Sequence, residues 1–152
     1  MADRTERLNI SIIGKTNAGK SSLLNLLTGQ KDYAIVDATP GTTADNVVSL
    51  MEIHNLGPVK IIDTAGIEEQ GELGEKKRRK AIQALEESDL CLLTIDFISA
   101  INFQDLNYER SLFDYAMELN KQVLIIYNLF KNKSNLQISE YEFWKNKLDE
   151  NF

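Results

Sequence analysis

The sequence has one cysteine, one histidine and two prolines. Cys91 alone excludes an internal disulfide. Together with His54 it still cannot furnish a four-ligand Cys/His zinc or iron–sulfur site. Apolar runs such as Ile10 to Ile13 and Val123 to Tyr127 are far too short to cross a bilayer. Met1 to Ser11 has no apolar core of a secretory signal, so a cytoplasmic address is expected and membrane association is not. Basic charge is in the minority: 17 Lys and Arg stand against 23 Asp and Glu, a net charge of −6. A nucleic-acid partner is therefore unexpected, since such affinity usually shows as a basic domain. Internal repeats and low-complexity stretches are absent too. What remains is a chain of 152 residues, 43% hydrophobic and 26% charged, which is the composition of one globular domain able to bury its own core.

Short apolar runs alternate with longer segments of helical period. Leu8 to Ile13 reads as a buried strand, and Ser21 to Thr28 as a helix with Leu23, Leu24 and Leu27 on one face and Gly29 as its stop. Tyr33 to Asp45, rich in Thr, Asp, Gly and Pro, reads as a loop. Val47 to Ile53 and Val59 to Asp63 read as an antiparallel pair joined at Asn55-Leu56-Gly57-Pro58. Glu72 to Glu87 is a charged helix and Leu90 to Asp96 a buried strand. Gln104 to Asn120 is an amphipathic helix with Leu106, Phe113 and Met117 on its apolar face. Val123 to Tyr127 is the fifth strand. Ser139 to Glu142 matches a capping box, with Tyr141, Trp144 and Leu148 on the inner face of the helix that follows. Strands separated by helices predict an α/β fold, a mostly parallel sheet covered on both faces, whose ligands sit at the carboxyl ends of the strands.

Gly14-Lys15-Thr16-Asn17-Ala18-Gly19-Lys20-Ser21 is a complete G-x-x-x-x-G-K-S loop between a strand and a helix, the context this motif requires. Glycines let backbone N–H groups turn toward phosphate oxygens, and the following helix N-terminus adds its dipole. Lys20 is placed to reach the β- and γ-phosphates, and Ser21 to offer its hydroxyl to Mg²⁺. Downstream, Asp63-Thr64-Ala65-Gly66 ends a strand: the Asp63 carboxylate can hold Mg²⁺ through water, and the Gly66 amide can meet the γ-phosphate. Pro40-Gly41-Thr42-Thr43 supplies threonines that can complete the Mg²⁺ shell. Singly, the last two are ordinary turns. In this order after the loop, they predict a nucleotide switch on a three-layer P-loop NTPase fold, like a small G protein, with one antiparallel strand and without the last strand and helix.

With those residues in place, the chain resembles the TrmE–Era class of GTPases: Gly-Lys-Thr-Asn-Ala-Gly-Lys-Ser-Ser (Gly14 to Ser22), Pro-Gly-Thr-Thr-x-Asp (Pro40 to Asp45) and Asp-Thr-Ala-Gly form the signature of that class. More narrowly, Gly57-Pro58-Val59 and Gly71-Glu72-Leu73-Gly74 resemble HydF, the GTPase and scaffold family of FeFe-hydrogenase maturation. The resemblance spans residues 8 to about 128. It implies GTP hydrolysis with Mg²⁺ and stimulation by K⁺. Its partners are GTP and GDP, hydrogenase-maturation proteins, and a second copy met through the switch loops. Carried over residue by residue, it makes Lys20, Thr43 and Gly66 catalytic. Asn17, Ala18, Gly19, Lys20, Ser21, Ser22, Asp63, Gly66 and Asn128 hold the nucleotide, Ser21, Thr43 and Asp63 hold Mg²⁺, and Asn17 holds K⁺. A ribosome-assembly or tRNA-modification GTPase of the same class, or a nucleotide-binding module with little turnover, are the alternatives. The expected organisation is one GTPase domain over 1–152, truncated at its carboxyl end.

Two departures from the class stand out. At the end of the fifth strand, where it carries Asn-Lys-x-Asp to read guanine, this chain has Asn128-Leu129-Phe130-Lys131, with Asn132-Lys133-Ser134-Asn135 as a displaced candidate. Ile67 occupies the place of the water-orienting glutamine of Ras-like switches. Glu68, Glu69 and Glu72 are nearby acids for that role, although acids at a helix start are more often simply solvated. Cys91 is expected in the core and His54 at the surface.

Overall fold

In the computed structural model the described residues are 7–28, 47–64, 72–129 and 136–152. They form β1 (Leu8–Gly14), α1 (Lys20–Thr28), β2 (Val47–Ile53), β3 (Gly57–Asp63), α2 (Glu72–Glu87), β4 (Leu90–Asp96), α3 (Phe97–Phe103), α4 (Asn107–Glu118), β5 (Gln122–Asn128) and α5 (Ile138–Asp149). The strands make one sheet in the order β2-β3-β1-β4-β5, parallel except for the β2–β3 pair. Because β1 pairs with β3 on one side and with β4 on the other, the strand order reverses beside the end of β1. That reversal opens the crevice in which such sheets bind ligands.

Alternate residues of the strands feed two cores. Ile10, Ile12, Val59, Ile61 and Leu92 face α1, with Leu24 buried among them and Leu23 and Leu27 packed at the margin. Ile13, Cys91, Leu93 and Ile95 face the other way, toward Leu85 of α2, Phe97 and Ala100 of α3, Leu112 and Ala116 of α4, and Leu148 of α5. Both faces are thus covered, as a parallel sheet requires. The one polar side chain buried within β1 is satisfied: Ser11 Oγ lies 3.0 Å from Ser88 Oγ, which donates onward to the Leu85 carbonyl at 2.9 Å. At the β2–β3 turn Asn55 and Gly57 adopt φ of 68° and 92°. The β3 ladder starts at Gly57 rather than Val59. Pro58 is tolerated because β1 first pairs with β3 at Val59, so the missing N–H lies outside that ladder.

Three expectations need correction. The segment read as one helix from Gln104 is preceded by the separate α3, capped by Asp96, whose carboxylate accepts from the Ser99 N–H and hydroxyl at 3.2 and 3.0 Å. Within α4 the buried stripe is Glu109, Leu112 and Ala116, whereas Met117 is 43% exposed. The α5 capping box uses Gln137 and Glu140, not Ser139 and Glu142. The helix starts two residues earlier than a Ser139 cap suggests, because the Glu140 carboxylate accepts from the Gln137 N–H at 3.0 Å. Cys91 is fully buried and His54 is exposed. No helix among the described residues is long and apolar enough to cross a membrane.

Candidate functional site

The parallel registers bring four chain segments to one end of the sheet. Ile12 pairs with Asp63, Gly14 with Thr94, and Asp96 with Asn128, so Gly14, Asp63, Asp96 and Asn128 all stand at the carboxyl ends of their strands. Gly14 must be glycine: it has φ of 150°, and a Cβ there would collide with the Thr94 carbonyl. Beyond it the loop turns through Asn17 (φ 65°) and Gly19 (φ 97°) before α1 begins at Lys20. The left-handed turn at Asn17 is one that asparagine tolerates better than most residues.

Lys20 is only 7% exposed, and its ammonium donates to the Gly14 carbonyl at 3.0 Å and the Lys15 carbonyl at 2.7 Å. These bonds hold the ammonium inside the turn of the loop while the Ala18 N–H donates to the same Lys15 carbonyl at 3.2 Å. Ser21 Oγ donates to Asp63 Oδ2 at 3.4 Å, a weak bond by its length. Asp63 is positioned by its neighbour: Thr64 sends both its N–H (3.2 Å) and its hydroxyl (2.8 Å) to the Ile12 carbonyl, pinning the end of β3 to β1.

Burial pushes the Asp63 carboxyl up to about 6, against the opposing effects of the Lys20 ammonium and the Ser21 hydroxyl. Its Oδ1 has no hydrogen-bond partner among the described residues. A buried carboxylate with an unused oxygen beside a hydroxyl is a hard-oxygen donor pair of the kind Mg²⁺ takes, and a cation there would favour the ionised form. Asn128 closes the site from β5, its Nδ2 donating to the Ala18 carbonyl at 3.2 Å.

Of the residues expected to form the site, Asn17, Ala18, Gly19, Lys20, Ser21, Ser22, Asp63 and Asn128 lie on or beside this loop, with the Ser22 side chain exposed on α1. Thr43, Gly66, Ile67, Glu68, Glu69, Lys131, Asn132 and Asn135 lie outside the described residues, as does the loop from Tyr33 to Asp45, and nothing is described of the Glu72 side chain. Sequence reading missed one pair. Lys15, inside the loop, reaches α4, where its ammonium lies 3.4 Å from Glu109 Oε1 and donates to the Asp105 carbonyl at 3.1 Å. The signal was available: Glu109 sits at helical spacing from Leu112 and Ala116 and is a charge on a core stripe. A cavity of about 500 Å³ beside the loop is bordered by Lys15, Thr16, Asp96, Ser99, Phe103 and Glu109. A larger hollow, about 1070 Å³, lies at the opposite, amino-terminal end of the strands near Asn9, Asp89 and Gln122, away from the loop.

Residues 9–129 match the family model described as 50S ribosome-binding GTPase. Among curated proteins, the chain is 39% identical over 127 residues to "GTPase Der" of Clostridium botulinum (strain Loch Maree / Type A3), covering 81% of this chain and 28% of that one. It is 34% identical over 143 residues to "GTPase Der" of Clostridium perfringens (strain SM101 / Type A), covering 90% and 31%. The chain thus spans less than a third of these relatives. Among solved structures, an Era variant of Aquifex aeolicus bound to GDP·AlF4− superposes with a TM-score of 0.70 at 28% identity, over 93% of this chain and 46% of that one. Era in complex with MgGDPNP and nucleotides 1506–1542 of 16S ribosomal RNA gives a TM-score of 0.67 at 28% identity, over 97% and 49%.

Proposed function

The chain belongs to the 50S ribosome-binding GTPase family, and from that premise we propose that it is a GTP-binding, slowly hydrolysing switch domain whose nucleotide state controls association with a ribosomal partner. The observation that carries this reading is the meeting of Lys20, Ser21, Asp63 and Asn128 around one phosphate-binding loop. In this reading the loop amides and Lys20 would hold the β- and γ-phosphates, with Thr43 and Gly66 as further partners of the γ-phosphate. Ser21, Asp63 and Thr43 would hold Mg²⁺, which would neutralise charge on the phosphate oxygens. Asn17 would hold K⁺, which would supply a monovalent charge of the kind an arginine supplies in other GTPases.

The relatives shift the biology away from hydrogenase maturation. That narrower reading rests on Gly57 to Val59 and Gly71 to Gly74 alone, while the relatives named above are of the Der and Era kinds. The expectation against nucleic acid also loses its footing. A net charge of −6 argued against such a partner, yet a structure similar to this chain was solved with ribosomal RNA bound. The acidic balance speaks only to non-specific affinity.

The test is co-sedimentation of the 152-residue chain with isolated small and large ribosomal subunits, in the GDPNP-loaded and GDP-loaded states. Binding to one subunit, stronger with GDPNP, is the expected outcome. Nucleotide-bound chain that sediments with neither subunit in either state overturns the ribosomal part of the reading.

A further inference from the structure

Glu109 stands on the first turn of α4, on the stripe that Leu112 and Ala116 bury, and its side chain is only 3% exposed. A carboxylate in such a place costs stability unless it is well paired. Its pairing is incomplete: Oε1 lies 3.4 Å from the Lys15 ammonium, and Oε2 has no hydrogen-bond partner among the described residues. Burial raises its pKa above the ordinary glutamate value, opposed by a hydrogen bond from its own backbone N–H and then by the Lys15 ammonium. An apolar side chain would serve the core better, so packing does not account for a carboxylate here.

Its contact with the loop does. Lys15 is fixed at its tip by Glu109 and by the Asp105 carbonyl. At its root, the Lys15 carbonyl accepts from Lys20 Nζ and from the Ala18 N–H. One residue thus joins α4 to the lysine expected on the phosphates. Asn128 holds the other end of the same turn through the Ala18 carbonyl. We propose that Glu109 is a positioning residue for the nucleotide site: by anchoring Lys15 it sets the Lys15 carbonyl, and with it the Lys20 ammonium, in the geometry that receives the phosphates. This rests on the reading of the loop as a nucleotide site.

The experiment measures GDP affinity and the melting temperature of the nucleotide-free chain for wild type, Glu109→Leu, Glu109→Gln, Lys15→Met, Lys15→Arg and the double variant Lys15→Met/Glu109→Gln. Glu109→Leu is expected to melt at or above wild type while binding GDP about tenfold more weakly, a change within the range of coupling between residues of one network. Glu109→Gln and Lys15→Met should each weaken GDP binding similarly. The double variant should be no worse than the poorer single, and Lys15→Arg, which keeps the charge and reach, should retain wild-type affinity. A role in stability alone would move melting and leave affinity untouched, and that result overturns the proposal. So do additive losses in the double variant, or an affinity loss in Lys15→Arg equal to that of Lys15→Met. If wild type itself binds no GDP, the reading of the loop fails, and the positioning role fails with it. Wild-type binding with unaffected variants sinks the positioning role alone.

Discussion

Asn128 Nδ2 donates to the Ala18 carbonyl at 3.2 Å, tying the end of β5 to the phosphate loop across 110 positions of sequence. The bond fixes the last turn before Lys20 from a rigid strand end. Asn128→Ala leaves the Ala18 carbonyl without this donor, and a lost bond of this kind costs ~1–3 kcal/mol where the partner is buried. GDP affinity should fall about tenfold, since ~1.4 kcal/mol is a factor of ten. Asn128→Asp should be worse, because it sets an acceptor against an acceptor. Fluorescence titration with a labelled GDP checks both, and unchanged affinity in Asn128→Asp would detach β5 from the site.

Removing the Lys20 side chain has two separable consequences. Its ammonium satisfies the Gly14 and Lys15 carbonyls, so Lys20→Ala should lower the stability of the nucleotide-free chain by about 1.5–3 kcal/mol, the scale of a lost hydrogen bond to a charged group. Nucleotide binding should disappear while the circular dichroism of the folded chain persists. Equal nucleotide affinity in Lys20→Ala and wild type would remove Lys20 from the site.

The sheet, the phosphate loop and the strand-end acid were legible because each depends on local pattern. Short apolar runs mark buried parallel strands, and glycine spacing marks the backbone turn that phosphates need. The missed parts depend on distant partners. Phe97 to Phe103 follows β4 without a turn signal, and only Asp96 capping Ser99 makes it a helix of its own. In α4 a charge is ordinarily solvated, so the place of Glu109 on the stripe of Leu112 and Ala116 makes sense only with Lys15 arriving from the loop, while Met117 is left 43% exposed. The α5 cap moved from Ser139 to Gln137 because glutamine is a poor cap by propensity, and here the reciprocal bond from Glu140 decides.

Stability should depend on pH through the contact between β5 and α5. Tyr127 OH donates to Asp149 Oδ1 at 2.6 Å, and Lys145 Nζ lies 2.8 Å from Oδ2. Burial alone would raise the Asp149 carboxyl, but the bonds from Lys145 and Tyr127 outweigh it and hold it below the usual 3.8. The unfolded chain therefore takes up this proton first as pH falls. The stabilisation is present above about pH 4 and is lost as pH drops below 3.8 toward the lower folded value. With the Asp149 side chain 40% exposed, screening limits its worth to about 1 kcal/mol or less. Denaturant melts at pH 7 and pH 3 should show Asp149→Asn less stable than wild type at pH 7, with the difference smaller at pH 3. An unchanged difference at both pH values would mean that the carboxylate charge does not stabilise the contact.

Hydrolysis needs charge neutralised between the β- and γ-phosphates, work for which arginine fingers supply ~10³–10⁵ in rate. No motif in the sequence designates such an arginine, whereas Asn17 sits on the loop with its side chain exposed. GTP turnover should be slow in sodium and faster in potassium, and Asn17→Ala should abolish the difference. Equal rates in the two salts for wild type remove potassium from the reaction.

Base selectivity is where this chain should depart furthest from its class. A buried group that reads a base rejects the wrong one because that base leaves it unpaired, a penalty of ~1–3 kcal/mol for a neutral group and more for a charged one. After Asn128 the sequence runs Leu129-Phe130-Lys131, so a lysine donor stands where the class places the carboxylate that accepts from the guanine N1 and N2 hydrogens. Asn135, serving instead, would offer one neutral acceptor rather than a bidentate carboxylate. Binding should therefore be driven by phosphate contacts, micromolar or weaker, with GTP favoured over ATP by about tenfold or less, the net worth of about one hydrogen bond. Competitive titration of GDP against ADP and XDP on the 152-residue chain measures this directly. A preference for GDP of about a thousandfold or more, equivalent to ~4 kcal/mol, would show that another residue reads guanine and that the match at Lys131 is misaligned.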